Sequence, residues 1–168
     1  MYRQYEGVRR LLEKGYRRPV CVHMPRADVA MALRLKGMQR AFREFNVPEE
    51  NQTHFVLNEE TDYARSVQYL DEALAKRPKP DCLICGNDRV ALVAYQHLLS
   101  LGIRIPKDIG ILGFDNMVGI GGLFLPPLST IALEKPAYRN TGNDHGSGHG
   151  PNFHRKRSGR FKQYLRFL

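Results

Sequence analysis

The sequence predicts an α/β protein built as a three-layer αβα sandwich, with a parallel sheet and helices on both faces. Apolar segments of strand length alternate with segments of helical period from residue 2 to about 133. The connections between them are short. The segments following successive strands, PRAD (25–28), NEET (58–61), GND (86–88) and DN (115–116), are rich in short polar side chains. Crossovers in such a sheet are right-handed, and ligands bind beyond the carboxyl ends of its strands. These four segments therefore mark the functional rim.

Residues 2–14 carry Tyr5, Val8, Leu11 and Leu12 at helical spacing and stop at Gly15. PVCVHM (19–24) is a short apolar strand. Asp28 is placed to cap a helix to about Phe45, with Ala30, Leu33, Gly37, Met38, Ala41 and Phe45 inward. THFVLN (53–58) is the next strand. Thr61 caps a helix from Asp62 to about Lys76, ended by PKP at 78–80. DCLIC (81–85) leads into a helix from about Arg89 to Leu101, with Gly102 as its left-handed stop. DIGILGF (108–114) is a fourth strand. LPPLSTIAL (125–133) is a fifth extended segment, which its prolines confine to an edge or a crossover.

A chain of 168 residues has the size of one domain. The first 15 residues lack the uninterrupted apolar core of a signal peptide, and no stretch approaches a membrane span. The expectation is a cytoplasmic protein. Three cysteines, Cys21, Cys82 and Cys85, suit a reducing compartment. The net charge of +9 is uneven: residues 1–135 hold 19 Lys and Arg against 16 Asp and Glu, residues 136–168 hold 7 against 1. The body is nearly neutral, so the charge does not by itself indicate nucleic acid. Residues 134–168, with five glycines and three histidines, read as an irregular basic tail with a hint of helix in KQYLRFL.

No cofactor and no metal are expected. C-x-x-C at 82–85 lies within a strand, where residues three apart face opposite ways. DHGSGHG (144–150) offers His145, His149 and Asp144, but its glycines make a site costly to order. The glycines at 119, 121 and 122 precede prolines rather than a helix and match no phosphate-binding pattern. Asp115 could act as a base, yet no nucleophile motif or paired His accompanies it, so no catalytic residue is assigned. Asp88 is read as a helix N-cap. Arg34 borders an apolar face; it is a snorkelling or ion-paired side chain, or a planar fork aimed at ligand oxygens.

YRQYEGVRRLLEKGYRRPVCV, ALRLKGMQRAF, CLICGNDRVALVAYQHLLSLGIRIPKDIGILGFDN and LPPLSTIAL, in that order over residues 1–133, closely resemble the effector-binding domain of LacI/GalR-family bacterial transcription regulators. The resemblance implies the C-terminal lobe of a type I periplasmic-binding-protein-like (Rossmann-like) fold. Its helix-turn-helix and first lobe are absent from this chain, as in a truncated form, and it stops after STIAL. By that resemblance Arg34, Asn87 and Asp115 contact a small effector, a sugar or related molecule, with Thr61 and Tyr63 in a looser match beside them. It also implies a non-enzymatic binding module capable of pairing as a homodimer, with no direct operator contact and no membrane partner. A lobe of a periplasmic-type sugar transport protein, or a carbohydrate-acting enzyme using Asp115, are the alternatives.

Overall fold

The computed structural model describes residues 2–25, 29–59, 61–117 and 123–132. Asp28, the glycines at 119–122, DHGSGHG and the rest of 133–168 lie outside the described residues. Five strands, β1 (Pro19–His23), β2 (Thr53–Val56), β3 (Cys82–Cys85), β4 (Gly110–Asp115) and β5 (Ser129–Ala132), form one sheet. Its order is β2-β1-β3-β4-β5 and every pairing is parallel. The helices are α1 (Tyr2–Glu13), α2 (Val29–Glu44), α3 (Tyr63–Ala75) and α4 (Asp88–Ser100), with a 3₁₀ turn at Glu49–Asn51 that the pattern did not announce. The expected three-layer α/β architecture is the one observed, and β5 takes an edge, with Pro126 and Pro127 in the segment leading into it.

A parallel sheet covered on both faces needs strands that are apolar throughout, and β1 and β3 satisfy this. On one face Val8, Leu11, Leu12, Met38 and Phe42 of α1 and α2 pack on Cys21, Ile84, Leu112 and Ile131. On the other, Leu70, Val90, Ala94 and Leu98 of α3 and α4 pack on Val20, Val22, Leu83 and Ile111. Leu83 and Cys85 belong to the second cluster and Ile84 to the first, so the C-x-x-C sulfurs do face opposite ways. At the amino end, the Asp81 carboxylate accepts the backbone N–H groups of Arg17 and Arg18 at 2.9 and 2.8 Å. That contact ties the entry of β1 to the entry of β3.

The buried stripe of α2 is Gly37, Met38, Ala41 and Phe42. The stripe anticipated from spacing is partly rotated: Gly37, Met38 and Ala41 are buried as expected, but Ala30 and Leu33 are exposed, Phe45 is half-buried and Phe42 is buried. Near the start of α2 it is Met31 and Leu35, both half-buried, that pack on the core. Cap positions also shift. Asp62, not Thr61, caps α3 by accepting the Arg65 N–H at 3.1 Å.

A larger correction concerns GND. Asn87 is the N-cap of α4, its Oδ1 accepting the Val90 N–H at 2.9 Å. Asp88 is no cap. It is the first helical residue, only 2% exposed, and it turns sideways into the sheet. Its Oδ2 accepts the Met117 N–H at 2.8 Å and its Oδ1 accepts the Thr130 hydroxyl at 2.6 Å. Thr130 Oγ1 in turn accepts the Asn116 N–H at 3.3 Å. One carboxylate thus joins the start of α4, the exit of β4 and strand β5. Gly113 makes room for it, because a Cβ there would lie 2.2 Å from Asp88 Oδ1.

Two predictions follow from this packing. Phe42→Ala should cost about 3–5 kcal/mol, whereas Leu33→Ser should stay within about 0.5 kcal/mol; urea midpoints of the two variants decide whether the stripe is rotated as described. Asp88→Asn replaces one acceptor oxygen by a donor and should cost about 1–3 kcal/mol. Burial raises the Asp88 carboxyl above its ordinary value of 3.8, against the opposing hydrogen bonds from Thr130 and Met117. The folded state therefore holds this proton more tightly, and ionisation opposes folding as pH rises from 3.8 through the raised value. The difference in denaturation midpoint between the native chain and Asp88→Asn should therefore shrink as pH rises across that window.

Candidate functional site

In a sheet of order 2-1-3-4-5 the connections leave in opposite directions at the junction of β1 and β3. The helix after β1, α2, lies on one face, and the helix after β3, α4, lies on the other. Between their first turns, beyond the carboxyl ends of the strands, the chain leaves a crevice, and such switch points are where open α/β sheets bind ligands.

Arg34 spans this crevice. It stands on α2, and its Nη1 donates to the Gly86 carbonyl, at the exit of β3, at 3.0 Å. Nη2 donates to Asp115 Oδ1 at 3.3 Å, at the exit of β4. The guanidinium also lies 3.6 Å over the ring of Phe114, which is buried. Stacking below and directional bonds at the edge fix a planar cation in one orientation. Of the two readings of Arg34, the ion-paired one describes its rest state. The pair is partly exposed, at 21% and 32% for the two side chains, so its value lies in positioning more than in stability.

Gly86 is small because the chain passes close by: a Cβ there would stand 2.6 Å from Met24 Cγ and 2.9 Å from the Met24 nitrogen. Asp115 adopts φ 94° and Asn116 φ 47°, in the left-handed region that non-glycine residues seldom occupy. Arg34 holds the Asp115 side chain, while Thr130 and Asp88 hold the next two backbone N–H groups. A strained residue kept in place by its neighbours is characteristic of binding sites. Asn87 begins α4 on the same rim; its carbonyl oxygen is committed to the cap, which leaves its amide NH₂ as the group to donate outward.

The structure thus brings together Arg34, Asp115 and the Gly86–Asn87 corner. Thr61 and Tyr63 are elsewhere along the rim. They follow β2, at the sheet edge beyond β1; Thr61 is exposed, Tyr63 half-buried, and the Thr61 carbonyl accepts the Tyr63 N–H at 2.8 Å. Phe114, Thr130 and Asp88 support the site but were not singled out for that role. Their signal was weak: a Phe at a strand end and a Thr in an edge strand are ordinary core residues. A hollow beside Arg34, lined by His23, Met31, Leu35, Cys85 and Gly86 among others, holds about 20 Å³, room for about one water. That is far below the roughly 300–1,000 Å³ of a typical small-molecule pocket.

Among the described residues no helix is long and apolar enough to cross a membrane. Residues 8–138 match the family of periplasmic binding protein-like domains. The sucrose operon repressor of Escherichia coli is 46% identical over 134 residues, which is 77% of this chain and 40% of that repressor. A LacI-family regulator from Rhizobium etli superposes with a TM-score of 0.70 at 29% identity, covering 77% of this chain and 47% of that one. The regulator CelR, solved in complex with cellobiose, gives a TM-score of 0.64 at 26% identity, covering 76% and 38%. These relatives are transcription regulators rather than enzymes, and the chain spans less than half the length of each. The chain therefore belongs to the periplasmic binding protein-like domain family, in the form found in LacI-family regulators.

Proposed function

We propose that residues 1–133 serve as one lobe of the ligand-sensing part of a cytoplasmic LacI-type regulator, and that the ligand is a sugar. The observation that carries this reading is the Arg34 guanidinium, fixed on Phe114, Gly86 and Asp115 at the β1/β3 switch point. A charged fork and a carboxylate side by side offer donors and acceptors suited to vicinal hydroxyls, and Asn87 adds an amide donor. Groups that need a ligand's hydroxyls discriminate sharply against analogues that lack them. Thr61 and Tyr63 would flank a ligand extending past β1. The remaining 134–168 are assigned no part in the site.

The effector class is a small saccharide, with sucrose as the first probe because of the relative at 46% identity. Ligand binding that favours one arrangement of two lobes would pass to a paired regulator as a shift in population. Pairing of this lobe with a second copy belongs to the same proposal, and operator contact is not placed on it. The reading is tested by titrating the full chain with sucrose, glucose, fructose and cellobiose while following backbone amide shifts. Saturable changes at Asn87 and Asp115 with one sugar are expected. Arg34→Ala and Asp115→Ala should each weaken that binding by about 10- to 150-fold, the equivalent of losing a charged hydrogen bond worth about 1.5–3 kcal/mol. Arg34→Lys should weaken it too, since an ammonium cannot reproduce the fork. Silence at both residues across the panel would remove the site, and turnover of any glycoside lost on Asp115→Asn would make it catalytic instead.

A further inference from the structure

Two imidazoles and a thiol converge at the β1–β2 edge of the sheet. Cys21 and His23 are two residues apart on β1 and so share a face. Register sets His54 of β2 opposite Cys21. One ligand atom from each, the Cys21 sulfur and a nitrogen of each ring, lies within 4.8 Å of the others. His23 Nε2 and His54 Nδ1 are 2.9 Å apart, and the ring planes differ by 3°.

The protonation of His54 follows from Gln52. The Gln52 amide nitrogen donates to the Val47 carbonyl at 2.9 Å, so its oxygen is the atom that faces His54 Nε2 at 3.2 Å. An amide oxygen only accepts, and His54 Nε2 must therefore carry a hydrogen. In the neutral ring Nδ1 is then a bare lone pair, receiving the proton of His23 Nε2. An imidazole whose outer N–H is held by an oxygen acceptor, with its other nitrogen turned inward, is how proteins prepare histidine for a metal ion.

We propose that Cys21, His23 and His54 form a binding site for a borderline-soft divalent cation such as Zn²⁺, with solvent as its fourth ligand. Thiolate and imidazole donors suit Zn²⁺ and disfavour Mg²⁺ or Ca²⁺. Two nitrogens at about 2.05 Å from a tetrahedral ion are about 3.3 Å apart, so the existing spacing needs only slight opening. Loading releases one proton, from the Cys21 thiol, and moves the His23 proton from Nε2 to Nδ1. The thiol must shed its proton and both imidazoles must be neutral to bind, so affinity falls as pH is lowered. His54 is exposed and gives the ion its route in. Once bound, the ion would clip β2, an edge strand of four residues, to β1.

The test is a Co²⁺ titration of the chelator-stripped full chain at mildly alkaline pH, with Zn²⁺ as competitor. A thiolate-to-cobalt charge-transfer band saturating at one equivalent, displaced by Zn²⁺ and accompanied by a higher Tm, is expected. His145, His149 and His154 of the tail cannot produce that band, since the cysteines are at 21, 82 and 85. Cys21→Ala and His54→Gln should each abolish it, Cys85→Ala should leave it, and Gln52→Ala should weaken binding about 10- to 100-fold. Because His54 is exposed, His54→Gln tests the site in a folded chain even if Cys21→Ala does not fold. Absence of the band, or its survival in His54→Gln, overturns the site.

Discussion

The buried carboxylate of Asp88 is the point through which the ligand end of this fold is held together. It accepts from Met117 and Thr130, and the Thr130 hydroxyl accepts from Asn116. Helix α4, the turn after β4 and strand β5 are thereby joined at one residue that is 2% exposed. A buried charge is costly unless hydrogen bonds replace its hydration, and here the donors come from the elements that must be positioned. Gly113 belongs to the same constraint, since any larger residue would occupy the carboxylate's place. With the turn after β4 fixed, Asp115 and Asn116 can be kept at positive φ, and Asp115 meets Arg34.

Arg34 completes the arrangement from the other face. Its helix, α2, is anchored by Gly37, Met38, Ala41 and Phe42, all C-terminal to it. The N-terminal end of α2 projects more openly, with Val29 77% exposed. The guanidinium reaches back from that projection to the exits of β3 and β4. Packing places the helix, and the polar contacts at its start define the rim.

The alternation of elements, their order and the rim itself were legible in the sequence, because period and punctuation are local properties. The rotation of the α2 stripe was not, because spacing alone cannot show which of several adjacent apolar positions faces the sheet. The reversal at Asn87 and Asp88 has a similar cause. Both residue types make good caps, and the choice depends on Thr130 and Met117, which are 42 and 29 residues away in sequence. The cysteine and histidine cluster was missed for the same reason. Local searches for ligands considered C-x-x-C at 82–85 and the His-rich tail, whereas Cys21, His23 and His54 meet through strand register. A strand pair can assemble a site that no contiguous motif announces.

The rest state of Arg34 bears on how strongly such a rim can bind. Its fork is already oriented by Phe114, Gly86 and Asp115, so a ligand does not bear the entropy of ordering it. On the proposed reading, the same pairing means that a sugar would gain only the bonds that Arg34 and Asp115 can make in addition to those they already share. A hollow of about 20 Å³ also encloses no part of a sugar ring. Orientation without enclosure gives selectivity for hydroxyl geometry at modest affinity. Strong binding would require a second wall, whose closure excludes water and strengthens every polar contact at the rim. In the proposed sensor, a preorganised but shallow rim would make enclosure the step that carries most of the affinity, as is needed if ligand is to drive a change of shape.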